Sequence, residues 1–195
     1  MIRTTNNLFG VLCVLFSNKN LTYHDISRKT GLSVMGISKI INKLSQAGIV
    51  DIETIGKSKI PQLVLDKKNL EIFILAEKFK LGKFIQEHNE LKGFLLTLKD
   101  TLNSDFSLIF GSYASGEETK NSDLDLLIVS SNDDVINLNK AKSLLSIEVN
   151  PIFIRKKDFL SELKRGHRLY KDIVNGKRII VNGEYNFWNI LLSLG

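Results

Sequence analysis

The sequence predicts an α+β chain of two units joined by helices, and three observations carry this. Apolar residues recur at helical spacing through the first 48 positions and then alternate through a hairpin. A long helical stretch fills 69–103, and from Phe106 onward short strand-like runs alternate with helices. The charge is divided as well. Residues 1–68 hold ten Lys/Arg against four Asp/Glu, the whole net +6, while residues 69–195 hold seventeen of each sign. The expected division is therefore 1–68, 69–103 and 104–195. The basic first third suits a polyanionic partner.

Composition narrows the class. With 43% apolar and 25% charged residues in 195, the chain can bury an ordinary core and is not of disordered type. No apolar run reaches the roughly 18–20 residues of a membrane span, so no membrane association is expected. The opening residues lack the pattern of a signal peptide. The one cysteine, Cys13, cannot form an internal disulfide, and the expected location is the cytoplasm.

Leu8, Val11, Leu12 and Leu15 share one face of a first helix. A second helix starts at Thr22 as N-cap and stops at Gly31. Ser33 caps a third, with Val34, Ile37, Ile40, Ile41 and Leu44 as its apolar stripe and Gly48 as its end. The short 30–33 turn makes the second and third helices a helix-turn-helix. Alternating runs at 49–55 and 60–65 flank Gly56-Lys57-Ser58-Lys59, a hairpin with a basic tip. Helices and hairpin in this order resemble a winged-helix DNA-binding domain. Ser38, Lys39, Asn42, Lys43 and Gln46 lie off the apolar stripe and are of the types that meet phosphates and base edges. Of these, Ser38, Lys39, Asn42 and Lys43, with Lys57 and Lys59 on the hairpin tip, are the expected DNA-binding residues. Double-stranded DNA is the expected partner, and because winged-helix relatives are commonly dimeric, a homodimer is expected.

The 69–103 stretch reads as a helical connector with Gly82 and Gly93 as bends. Beyond it, a buried-strand pattern at 106–110 ends in Gly111-Ser112, and a second strand pattern at 122–129 carries Asp123 and Asp125. Alternation puts those two carboxylates on one face and Leu124 and Leu126 on the other. Paired hard oxygens on a rigid strand suit a divalent ion such as Mg²⁺. Gly111 allows close approach of a phosphate, and Ser112 adds a hydroxyl donor.

Gly-Ser followed ten residues later by Asp-x-Asp, between two strands and with Gly116 and Ser122 added, is similar to the signature of the polymerase-beta-type nucleotidyltransferases, in particular the minimal ones. The likeness is close over 106–129 and looser over 104–195. It implies a C-terminal α/β nucleotidyltransferase domain with a mixed sheet. It also implies two-metal transfer of NMP from an NTP, most simply ATP, to a hydroxyl, with pyrophosphate leaving. Asp123 and Asp125 would hold Mg²⁺, and Gly111, Ser112 and Ser122 would bind the nucleotide. Active relatives carry a third carboxylate on a neighbouring strand. In the 146–154 run the register favours Asn150 at that position, and Glu148, on the same face, is the candidate to replace it.

Other polar residues say less. Asp158 and Glu162 read as surface charges, and His24, His88 and His167 have no metal-ligand spacing. Lys164, Arg165, His167, Arg168 and Lys171 form a basic cluster on a helix, read as a solvated face. Phe187, Trp188, Leu191 and Leu192 read as a core or dimer face. The expected function is a DNA-binding regulator carrying a nucleotidyltransferase module that modifies a hydroxyl, by resemblance to antitoxins one on a partner protein. The alternative is a regulator whose nucleotidyltransferase fold binds nucleotide or protein without turnover.

Overall fold

Each of the first three helices begins at a hydroxyl side chain, which satisfies backbone N–H groups that the helix itself leaves without partners. Thr5 caps α1 (Asn6–Phe16), Thr22 caps α2 (Tyr23–Thr30) and Ser33 caps α3 (Val34–Gln46). At Thr22 the cap is reciprocal: the Asp25 carboxylate accepts from the Thr22 N–H at 2.9 Å and from its hydroxyl at 2.6 Å. These bonds, with a further one from Arg28, lower the Asp25 pKa to about 2. Gly31 closes α2 at φ 72°, and the Ser27 hydroxyl donates to the Leu32 carbonyl at 2.6 Å, fixing the turn into α3.

The computed structural model describes residues 4–131, 138–175 and 177–194. They divide into two compact units, Met1–Lys80 with Leu191–Gly195, and Leu81–Ile190. In the first unit the expected stripe residues Leu8, Val11, Leu12, Leu15, Ile37, Ile41 and Leu44 are buried, with Ile26 of α2, while Val34 and Ile40 of the expected α3 stripe are only half-buried. Strands β1 (Val50–Ile55) and β2 (Ser58–Leu63) pair antiparallel from Val50–Leu63 to Ile55–Ser58 and turn at Gly56-Lys57. The buried Asn69 amide donates to the Gly48 and Val64 carbonyls at 2.9 and 3.0 Å, tying the hairpin's exit to the end of α3.

The helical connector is α4 (Leu70–Glu87) and α5 (Lys92–Thr101), with a short 3₁₀ turn between them. Gly82 and Gly93, the expected bends, lie within these helices, and the break between the helices comes at His88, with φ −123° and ψ 63°. A glycine permits a bend without requiring one. The His88 ring instead packs 4.4 Å from that of Phe84 and 5.6 Å from that of Tyr113, a tertiary reason to leave the helix there.

The second unit holds a four-stranded sheet in the order β5-β4-β3-β6. Strand β3 (Phe106–Phe110) leads into the short α6 (Gly111–Ser115), then β4 (Leu124–Ser130), α7 (Asn139–Lys142) and β5 (Val149–Arg155). Helices α8 (Lys156–Arg165) and α9 (Arg168–Asn175) precede β6 (Ile179–Asn182), and α10 (Glu184–Leu194) ends the chain. β3 runs antiparallel to β4 and β6, whereas β4 and β5 are parallel, so the sheet is mixed. Leu124, Leu126 and Ile128 pack into one core with Phe94, Leu95 and Leu98 of α5. On the other face Phe106 meets Phe159 of α8 and Phe187 of α10, each with ring centroids 5.4 Å apart. Phe187 and Trp188 are core residues, and the buried Arg178 lays its guanidinium over both rings at 4.5 and 5.7 Å.

Candidate functional site

The site grows out of the sheet register. Phe110 pairs with Asp125 across β3 and β4, and Asp125 pairs with Asn150 across β4 and β5. Paired residues project to the same side, so Asp125 and Asn150 share the face that carries Phe106, opposite the α5 core. Asp123 lies two residues upstream on that face, just before β4 begins, where the Leu124 N–H donates to the Glu148 carbonyl at 2.9 Å.

Gly111 follows Phe110 at φ 69°, a conformation that side-chain-bearing residues rarely adopt. Its missing side chain is occupied: a Cβ built there would lie 2.1 Å from Asp125 Oδ2. The glycine thus serves two ends, turning the chain into α6 and leaving room for the aspartate.

The Asn150 amide donates to Asp123 Oδ2 at 3.2 Å and lies beside Asp125 across the β4–β5 pairing. Burial and the neighbouring Asp123 charge push the Asp125 pKa up, and the Asn150 amide opposes them without cancelling the shift. Nearby, burial raises the Tyr113 hydroxyl, with Glu90, Glu118 and Asp123 adding to the effect. This end of the sheet is therefore rich in negative charge.

Two carboxylates and an amide that also carries a carbonyl oxygen make a donor set of hard oxygens, and burial of Asp125 beside the Asp123 charge leaves a site that a cation would neutralise. These residues fit a divalent ion such as Mg²⁺. Glu148 stands apart from this set. It is exposed, on the residue before β5, and among the described residues no group of three His, Cys, Asp or Glu is placed to hold a metal.

The other expected nucleotide-binding residues, Ser112 and Ser122, stand near the two ends of the segment between β3 and β4. Ser112 is half-buried in the first turn of α6. The Ser122 hydroxyl accepts from the Thr119 N–H at 2.9 Å and so closes the turn that delivers Asp123. His88, read from the sequence as lacking metal-ligand spacing, has ring nitrogens 3.6 Å from Glu90 and 3.9 Å from Glu118. Glu90 is its near neighbour in sequence, and only the fold adds Glu118.

In the first unit Lys39, Asn42 and Lys43 are exposed along α3 with Ser38 half-buried beside them, and Lys57 and Lys59 are exposed on the hairpin tip. Met35, 70% exposed, lies on the same helix face at the N-terminal end of α3. It escaped the sequence reading because it falls one position off the apolar stripe, and an exposed methionine there was the signal. No helix among the described residues is long and apolar enough to cross a membrane.

Two family models match the chain. Residues 5–51 match winged helix-turn-helix DNA-binding, and residues 88–181 match the nucleotidyltransferase domain, a span that contains β3, β4, β5 and both aspartates. No curated protein and no solved structure matches it. The chain thus joins a stretch that matches winged helix-turn-helix DNA-binding, ending as the hairpin begins, to one over the mixed sheet that matches the nucleotidyltransferase domain.

Proposed function

We propose that this protein is a DNA-binding regulator whose second unit transfers NMP from an NTP, ATP first among them, to a hydroxyl acceptor in a Mg²⁺-dependent reaction. The observation that carries the reading is the Asp123–Asp125–Asn150 cluster seated against Gly111. Asp123 and Asp125 would hold the metal. When bound, a divalent ion supplies neutralisation of the triphosphate and Lewis acidity at its oxygens.

The chain's own groups do the rest. Gly111 keeps its backbone open to phosphate oxygens, and the Ser112 hydroxyl donates to them. Ser122 positions Asp123 through its turn rather than by touching the nucleotide. A proton must leave the attacking hydroxyl, and Asn150 cannot take it. With Asp123 and Asp125 committed to the metal, Glu148, exposed just before β5, is the carboxylate left for that task. The first unit presents Lys39, Asn42 and Lys43 on α3 to a major groove, with Lys57 and Lys59 against the backbone of the duplex. The acceptor hydroxyl is carried by a partner protein, as in an antitoxin-like regulator, and the regulator acts as a homodimer.

A second reading, nucleotide binding without turnover, is favoured by one observation. The strand position next to Asp125 carries an amide that bonds Asp123, not a third carboxylate. Incubation with Mg²⁺ and α-labelled ATP separates the two. Transfer predicts labelled acceptor that disappears in Asp123→Asn and falls in Glu148→Gln. Saturable ATP binding with no labelled product under any acceptor sinks the transferase and leaves the sensor.

A further inference from the structure

Neutrality of the second half of the sequence is a sum of two opposed regions. Residues 155–178 carry nine Lys/Arg and three Asp/Glu, whereas the rest of 69–195 carries eight and fourteen. The basic segment is α8, α9 and Lys177-Arg178 ahead of β6. Phe159 of α8 packs on Phe106, and Tyr170 of α9 packs on Phe159 with centroids 5.7 Å apart, so both helices lie on the sheet face that carries Asp125. Lys164, Arg165, Arg168, Lys171 and Lys177 are all exposed there.

Two features gather these cations. Gly166 at φ 82° turns α8 sharply into α9, and a Cβ on it would lie 3.1 Å from the Lys171 Nζ, so that ammonium folds back over the turn beside Lys164 and Arg165. At the other end, Lys177 precedes Ile179, which pairs with Ile109, and its Nζ donates to the Ser115 carbonyl of α6 at 2.9 Å. The exposed cations thus gather at two places, the α8–α9 turn and the end of α6. The ion pairs Arg165–Glu162 and Arg168–Asp172 on these helices are exposed and exchange readily for other anions.

We infer that this α8–α9 face is a second nucleic-acid-binding surface, taking a phosphodiester strand independently of the winged helix. Its chemistry favours a strand over a protein. Leu169, 37% exposed, is the only large exposed apolar side chain among the described residues of α8 and α9, so the face lacks the apolar centre that protein interfaces bury. Spaced lysines and arginines instead match a chain of phosphates and its releasable counterions. The inference needs no turnover at Asp123 and Asp125 and stands or falls apart from it.

The test measures binding of full-length protein to a labelled oligouridylate of about twenty nucleotides, across roughly 50–200 mM salt. Combining Lys164→Ala, Lys171→Ala and Lys177→Ala should weaken binding at least about tenfold and lower the log–log salt slope by about 2, near 0.7 per lost contact. Replacing the same three lysines by arginine should restore binding, which separates charge from folding. Lys39→Ala with Lys43→Ala should leave it within about twofold, since those residues serve the other surface. A single-stranded DNA probe that binds as well supports recognition of the phosphodiester backbone, and one that binds worse supports an added 2′-hydroxyl contact. The inference is overturned if the triple alanine variant binds like the parent, if Lys39→Ala with Lys43→Ala weakens the oligouridylate equally, or if polyglutamate competes as well as RNA.

Discussion

Asp125 carries the tension of the site. Its carboxyl is packed against Gly111, repelled by Asp123 and only partly compensated by Asn150, and its pKa is raised. An acid raised in the folded state adds stability below its unfolded pKa near 4 and loses that contribution as pH climbs through the folded value. Asp125→Asn should therefore melt about 1–2 °C higher than the parent at pH 7, with the gap closing toward pH 4. Mg²⁺ should stabilise the parent more than the variant. Thermal melts with Mg²⁺ and with EDTA check both, and a lower melting temperature for Asp125→Asn at pH 7 would contradict the electrostatic account. Gly111→Ala tests the other side of the same contact. Its left-handed backbone costs about 1–2 kcal/mol in a residue with Cβ, and the added methyl would meet the carboxyl of Asp125. We expect a folded protein whose labelled transfer drops at least about tenfold, by the loss of one well-placed electrostatic group, while DNA affinity is unchanged. A Gly111→Ala variant with full transfer would mean that the aspartate position is not critical.

At the scale of elements, the closure of β6 onto α10 is the least forgiving point in the second unit. A Cβ on Gly183, at φ 74°, would lie 2.1 Å from the Asp105 carbonyl oxygen and 2.6 Å from Phe106 Cα, so backbone must move. Strain and overpacking together make Gly183→Ala roughly 2–4 kcal/mol less stable. Gly31→Ala, with open space around it, should cost only the backbone term of about 1–2 kcal/mol. Denaturant melts rank the two, and equal losses would refute the packing argument. Elements also differ in how far local chemistry reveals them. The caps at Thr22 and Ser33 and the stop at Gly31 were readable because each acts on its own helix. The break at His88 was not, because its cause is a ring packed between Phe84 and Tyr113, residues 4 and 25 positions away.

For the whole molecule, charge distribution sets the expectation. The basic first third should give DNA affinity that falls steeply with salt, and Lys43→Ala should reduce the log–log slope by about 1 with a uniform loss across sequences if it meets a phosphate. Filter binding over a salt series measures this, and salt-independent affinity would count against a phosphate-dominated interface. The sequence by itself determined the element order, the two charge regimes and the pair of aspartates, because helical spacing, strand alternation and caps are local properties of neighbouring residues. It also indicated Asn150 beside the aspartates, since strand alternation carries register one residue at a time. Tertiary structure alone decided that Asn150 donates its amide to Asp123, that Gly111 makes room for Asp125, and that α8, with α9 behind it, packs through Phe159 on the aspartate-bearing face. Those facts depend on strand pairing and on a chain reversal through Gly166, and contacts between distant segments leave no periodic trace in the residues that make them.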